Sequence, residues 1–128
     1  MKAISIKQPW ASLIAHGIKD IENRTWKCPQ KYIGQRVLIH ASKGKGDGWV
    51  LNEEQGLILQ MHPSNLRSIF YDDLPFGAII GSVVIVDCVQ NHPSVWVEKG
   101  CWNWVLKDAV LFDKPIMNVK GKLNFWEY

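Results

Sequence analysis

The chain has 128 residues, 47% hydrophobic and 21% charged, the balance of one folded domain spanning residues 1–128. That composition excludes disorder, collagen-like repeats and a coiled coil. The net charge of +3 is too mild to mark a nucleic-acid binder by itself.

Lys2 to Lys7 alternates around Ile4 and Ile6 and predicts a half-buried strand. Pro9 suits the first turn of a helix carrying Trp10, Leu13 and Ile14 on one face, and Gly17 is its stop. Ile18 to Trp26 alternates isoleucine with charge and predicts a strand or extended segment. Val37 to Ser42 alternates again, and Lys43-Gly44-Lys45-Gly46 follows as a basic loop. Asp47 stands where a helix cap belongs, ahead of Trp49, Val50, Leu57 and Met61. Ser64 can cap a short helix carrying Leu66, Ile69 and Phe70. Ala78 to Val89 predicts a long strand, Trp102 to Leu111 and Pro115 to Val119 two more, and Phe125 to Tyr128 a short last one. Strands outnumber helices, the pattern of a small α+β domain whose sheet is expected to close into a barrel.

Cys28, Cys88 and Cys101 are odd in number and form no Cys-x-x-Cys pair, which predicts free thiols in a reducing, cytoplasmic setting. Cys88, His92 and Cys101 match no zinc spacing, the four histidines form no triad, and neither metal nor cofactor is expected. The glycines after Lys43 lack the lysine and hydroxyl of a phosphate-binding loop. The apolar run Ala78 to Val86 is interrupted by Gly81 and Ser82 and falls short of the ~20 residues that span a bilayer. With Lys2 where a signal peptide has its apolar stretch, a soluble protein with no membrane partner is expected. Seven tryptophans predict either a compact core or a stacking surface.

The most specific segments are Ser5-Ile6-Lys7-Gln8-Pro9-Trp10-Ala11-Ser12-Leu13-Ile14 and Gly17-Ile18-Lys19-Asp20-Ile21-Glu22-Asn23-Arg24-Thr25-Trp26. With the Gly77 to Val83 strand and the Pro115 to Glu127 tail, they resemble the ASCH domain family, and Gly-x-Lys-x-x-Glu-x-Arg is the family's core pattern. The resemblance covers the whole chain. It implies a small barrel akin to the PUA domain, with helices beside a cleft, and binding of RNA, single-stranded nucleic acid or a modified nucleoside. One branch of the family hydrolyses the acyl amide of N4-acetylcytidine with a Lys, a Thr and a later Glu. Here the lysine is Lys19, Glu22 stands at the Thr position, and Asp87 is the nearest candidate for the later carboxylate.

Two readings of the cleft follow. As a binding site it draws on Gln8, Trp10, Ser12, Lys19, Arg24, Trp26, His40, Ser42, Lys43 and Lys120, with Asn23 as a further group for a base edge. Trp10 and Trp26 flank the motif and offer stacking faces, and the basic residues offer phosphate contacts. As an amidohydrolase or ribonuclease it would use Lys19 as base, with Glu22 or Asp87 handling protons. Strict strand alternation puts Lys19 and Glu22 on opposite faces, and a turn after Gly17 would reunite them. The bland alternatives are a Glu22–Arg24 structural ion pair, a solvated Lys19, and tryptophans and His40 serving the core.

Overall fold

The computed structural model describes residues 1–45, 50–62 and 74–128. Strand β1 (Lys2–Gln8) buries Ala3, Ile4, Ile6 and Gln8 and exposes Lys7. Helix α1 (Trp10–Ala15) follows Pro9 and is buried from Ala11 to Ala15. It stops because Gly17 takes φ +76°, which lets the amides of Ile18 and Lys19 both return to the Leu13 carbonyl at 3.0 and 3.1 Å. The expected Ile18 to Trp26 strand therefore shortens to β2 (Ile21–Arg24), since Ile18 and Lys19 have spent their amides on the helix end.

A 3-10 turn (Gln30–Tyr32) leads to β3 (Arg36–Lys45), longer than the expected Val37 to Ser42. The Lys43-Gly44-Lys45 stretch is thus strand rather than loop, because Lys45 pairs with Gln8 beyond an irregularity in the β1 ladder. Helix α2 (Glu53–Met61) starts at Asn52, whose side chain accepts from the Gln55 amide at 2.8 Å while Gln55 Oε1 accepts from the Asn52 amide at 3.0 Å. This reciprocal cap displaces the start expected at Asp47. Asp47 itself, Trp49 and the helix expected after Ser64 lie outside the described residues.

Strand β4 (Ala78–Val89) has the expected bounds, and β5 (Trp102–Ile116) runs through what the sequence divides into two strands. The β4–β5 register shifts between Ile79 and Gly81, opposite the β5 segment that holds Pro115, so no ladder amide is demanded of it. Gly81 is required where it stands: a Cβ there would lie 2.2 Å from the Val110 carbonyl oxygen. Strand β6 (Phe125–Glu127) completes the set.

The six strands form one sheet in the order β2-β5-β4-β3-β1-β6, with β1 and β3 parallel and the other pairs antiparallel. The α+β class stands, but the sheet does not close into a barrel. Its edges are the four-residue β2 and the three-residue β6, and side chains rather than a backbone ladder fill the space between them. Trp26 meets Phe125 edge-on at 6.3 Å, and the Trp104 and Phe125 rings lie parallel at 5.5 Å. One core cluster, with Ile14, Ile39, Ile80 and Trp104, fills the curl of the sheet under α1. A second, with Leu13, Ile21, Leu59 and Trp96, ties α1, β2 and α2 to the segment before β5. Among the described residues no helix is long and apolar enough to cross a membrane.

Candidate functional site

The turn at Gly17 decides where Lys19 goes. Lys19 precedes β2, so its side chain does not follow strand alternation and lies on the same side as Glu22. Both border a cleft of about 630 Å³ whose walls come from β1 (Ser5, Ile6, Lys7), α1 (Trp10), β2, β3 (Ser42), the start of α2 (Asn52, Gln55) and residues 96–98.

Lys19 is 5% exposed. Its ammonium donates to the Ile21 carbonyl, lies 3.9 Å from Glu22 Oε1 and sits 5.6 Å from the centre of the Trp10 ring. Burial pushes its pKa below the ordinary lysine value, while Glu22, Asp20 and Glu98 pull it back and Arg24 adds to the depression. Glu22 is also buried, and both of its bonds from Arg24, Nε at 3.0 Å and Nη2 at 2.8 Å, end on Oε2. Oε1 is left facing Lys19. Arg24 Nη2 donates further to the Ser5 carbonyl at 2.9 Å, and its guanidinium lies 5.8 Å from the centre of the Trp104 ring.

The far wall is built by amide side chains. Asn23 donates through Nδ2 to the Trp96 carbonyl at 2.9 Å, and its Oδ1 accepts from the Glu98 amide at 3.0 Å and from Asn103 Nδ2 at 3.1 Å. Asn103 Oδ1 accepts in turn from the His92 amide at 3.1 Å. Gln55 Nε2 donates to the Val95 carbonyl at 2.8 Å, and Ser94 Oγ donates to Asp20 at 2.6 Å. The wall is therefore fixed by hydrogen bonds from β2, β5 and α2, and Trp96, which forms part of it, is itself buried.

Of the residues named from sequence, Trp10, Lys19, Glu22, Asn23, Arg24 and Ser42 meet in this cleft. Gln8 and Ser12 do not line it. They are buried and bonded to each other, Gln8 Nε2 to Ser12 Oγ at 2.8 Å and the Ser12 amide to Gln8 Oε1 at 2.9 Å, and they hold the strand–helix junction. Trp26 does not line the cleft either: partly buried, it packs edge-on against Trp104 at 4.9 Å, on the margin of the core. His40 is buried between the Ser5 hydroxyl (Nδ1, 3.0 Å) and the Val119 carbonyl (Nε2, 2.7 Å). A carbonyl only accepts, so Nε2 carries the proton and Nδ1 accepts from Ser5. Lys43 and Lys120 are exposed and outside the lining, Lys43 lying along Gly77. Asp87 is exposed on β4, where it accepts from the Cys88 amide at 2.8 Å; the carboxylates that border the cleft are Glu22 and Glu98.

Sequence reasoning passed over Lys7, Asn52, Gln55, Trp96 and Glu98. Two signals were there to read: the Asn-x-x-Gln cap, and a tryptophan between two valines in a segment too short for an element of its own. Among the described residues no group of three or more His, Cys, Asp or Glu is placed to hold a metal ion.

The ASCH domain profile matches residues 4–115. Activating signal cointegrator 1 of Homo sapiens is 33% identical over 136 residues, an alignment covering 94% of this chain and 22% of that protein. Its Mus musculus counterpart is 31% identical over 88 residues, covering 69% of this chain and 14% of that protein. The chain thus corresponds to less than a quarter of either relative's length. The profile runs from β1 nearly to the end of β5 and includes the Lys19, Glu22 and Arg24 that converge in the cleft, so the chain belongs to the ASCH domain family.

Proposed function

We propose that the chain is a nucleic-acid-binding ASCH module that takes RNA, or a single modified nucleotide, in the cleft around Lys19. The observation that carries this reading is the pairing of a buried ammonium with a buried carboxylate oxygen that Arg24 leaves uncommitted, on one wall of an open cleft. A planar base edge offers an acceptor to the first and an N–H to the second, and a volume of 630 Å³ lies within the range of small-ligand sites. Lys7, Lys19 and Arg24 outweigh Glu22 and Glu98 along the walls, which favours an anionic ligand. Lys7 is exposed, a position suited to a phosphate outside the cleft.

Fluorescence anisotropy with a labelled single-stranded RNA tests this. Binding should weaken with added salt and fall about tenfold or more in Lys19→Ala. Absence of binding at low salt, or binding unchanged when Lys19 and Lys7 are both replaced, would overturn the reading.

A second reading is supported by the depressed Lys19 pKa: a partly desolvated amine beside a carboxylate suits general-base chemistry on an acylated base or nucleoside such as N4-acetylcytidine. Release of cytidine that disappears in Lys19→Ala would establish it. No release after long incubation at high protein concentration removes that substrate, and a labelled oligonucleotide checks ribonuclease activity with the same variant.

A further inference from the structure

At the opposite end of β1 lies a second concavity, a basin of about 350 Å³ whose walls include Lys2, Lys31, Tyr32, Gln35 and Arg36. Three cationic side chains line it and no carboxylate does. Lys2 is partly offset by Glu127, 3.5 Å away outside the lining, which also takes the N-terminal ammonium at 3.2 Å. Neither Lys31 nor Arg36 forms an ion pair among the described residues.

Both cations are held in place by contacts that leave donors over. Arg36 Nη1 donates to Ser82 Oγ at 3.0 Å and to the Asp108 carbonyl at 2.9 Å, and among the described residues its Nε and Nη2 have no hydrogen-bond partner. Lys31 places its ammonium 5.2 Å from the centre of the Tyr32 ring. The same ring is stacked on Phe125, the centroids 3.8 Å apart. An anion with several acceptor oxygens is what the basin fits.

We propose that this basin is a phosphate-binding subsite, taking a phosphodiester of the same single strand whose base enters the cleft. The course of the strand rests on the RNA-binding reading above; the anion chemistry does not. Lys2 in the basin and Lys7 at the cleft are five residues apart on one strand, about 17 Å at ~3.3 Å per residue. At the ~3.4 Å stacked rise that axial distance alone corresponds to about five nucleotides, beyond the reach of a stacked three-mer.

The test uses the full chain with two exposed positions changed, Lys2→Gln together with Lys31→Glu, sparing Arg36 because it is bonded into the sheet. Inorganic pyrophosphate is titrated against labelled protein by NMR, and anisotropy is read with RNA of three and of ten nucleotides. Pyrophosphate should shift the amides of residues 31–36 in the wild type and leave them unmoved in the double variant. The double variant should bind the ten-mer about tenfold more weakly, with a salt slope reduced by about one to two, and bind the three-mer unchanged. Lys19→Ala should weaken both oligonucleotides. If Lys19→Ala changes neither, the cleft reading fails while variant-sensitive pyrophosphate shifts still support the basin as an anion site. A double variant that matches the wild type for pyrophosphate and for the ten-mer overturns the proposal.

Discussion

Arg24, the last residue of β2, donates through one nitrogen to Glu22 Oε2 at 2.8 Å and to the carbonyl of Ser5 on β1 at 2.9 Å. The two strands are far apart in sheet order, and the β1–β6 ladder ends at Ile4. One guanidinium therefore satisfies a carbonyl past that ladder and bridges the open side of the sheet while neutralising a buried carboxylate. Arg24→Ala should cost about 3 kcal/mol in urea denaturation, because it strips buried Glu22 Oε2 of both its hydrogen bonds and leaves only Lys19, 3.9 Å from Oε1, to offset the charge. Arg24→Lys should recover part of this, since a point charge cannot make all three bonds. An unchanged midpoint in Arg24→Ala would show the bridge to be inert.

Lys19 should trade stability for binding. Its folded pKa lies below the unfolded value, so in the interval beneath about 10.5 the unfolded chain binds the extra proton. Stability contributed at this site therefore rises as pH climbs through that interval. Lys19→Met removes the desolvated charge and leaves Glu22 with Arg24. It should be more stable than wild type by about 1 kcal/mol at neutral pH, should bind RNA poorly, and its advantage should shrink toward pH 10. Thermal melts across pH 7–10 with binding measured in parallel check both halves; a less stable Lys19→Met would refute this.

The motif from Gly17 to Arg24 was legible because its geometry is local. A left-handed glycine ends α1, and the few residues after it set Lys19 beside Glu22. The far wall was not legible, because Asn23 reaches Trp96 and Glu98 across more than seventy residues, and only the pairing of β2 with β5 brings them together. The same holds for the tryptophans: Trp10 and Trp26 both flank the motif in sequence, yet the chain after β2 lays Trp26, partly buried, against Trp104 and outside the cleft lining. Barrel closure failed for a related reason. Strand alternation reports which face is buried and says nothing about whether two edge strands are long enough to pair.

His16 caps the end of α1 half-buried, and burial first, then His62, hold its pKa below the ordinary value of 6.5. The unfolded chain takes up this proton more readily, so the contribution is fully present above pH 6.5 and is lost as pH falls toward the folded value. The melting temperature should drop between pH 7 and pH 5, and His16→Gln should flatten that part of the profile. A drop of the same size in His16→Gln would assign it elsewhere.

Cys28 is buried, and burial together with Cys88 pushes its thiol up to about 11. Since the thiolate is the nucleophile, iodoacetamide at pH 8 should leave Cys28 unmodified in the native protein and label it fully in urea. Peptide mass mapping over time reads this directly, and native labelling of Cys28 as fast as in urea would contradict the burial.

Gly121 closes the C-terminal segment over His40. A Cβ at this position would lie 2.6 Å from His40 Cε1, 2.7 Å from Ser5 Oγ and 2.8 Å from His40 Nδ1. The ring has no room to yield: Nε2 is bonded to the Val119 carbonyl, Nδ1 to Ser5, and Trp126 stands edge-on 5.4 Å away while donating from its own Nε1 to Ser5 Oγ at 3.2 Å. Moving His40 breaks at least one buried hydrogen bond, and moving the backbone at 121 strains the segment that supplies the Val119 carbonyl. Gly121→Ala should therefore destabilise the fold by about 2–3 kcal/mol, the sum of overpacking and one lost buried bond. Denaturant unfolding of the variant gives the magnitude, and exchange of the His40 Nε2 proton, slow in the wild type and fast in Gly121→Ala, locates the damage. A variant of wild-type stability with that proton still protected would mean the segment relaxes freely, and the close packing of Gly121 on His40 would then carry no constraint.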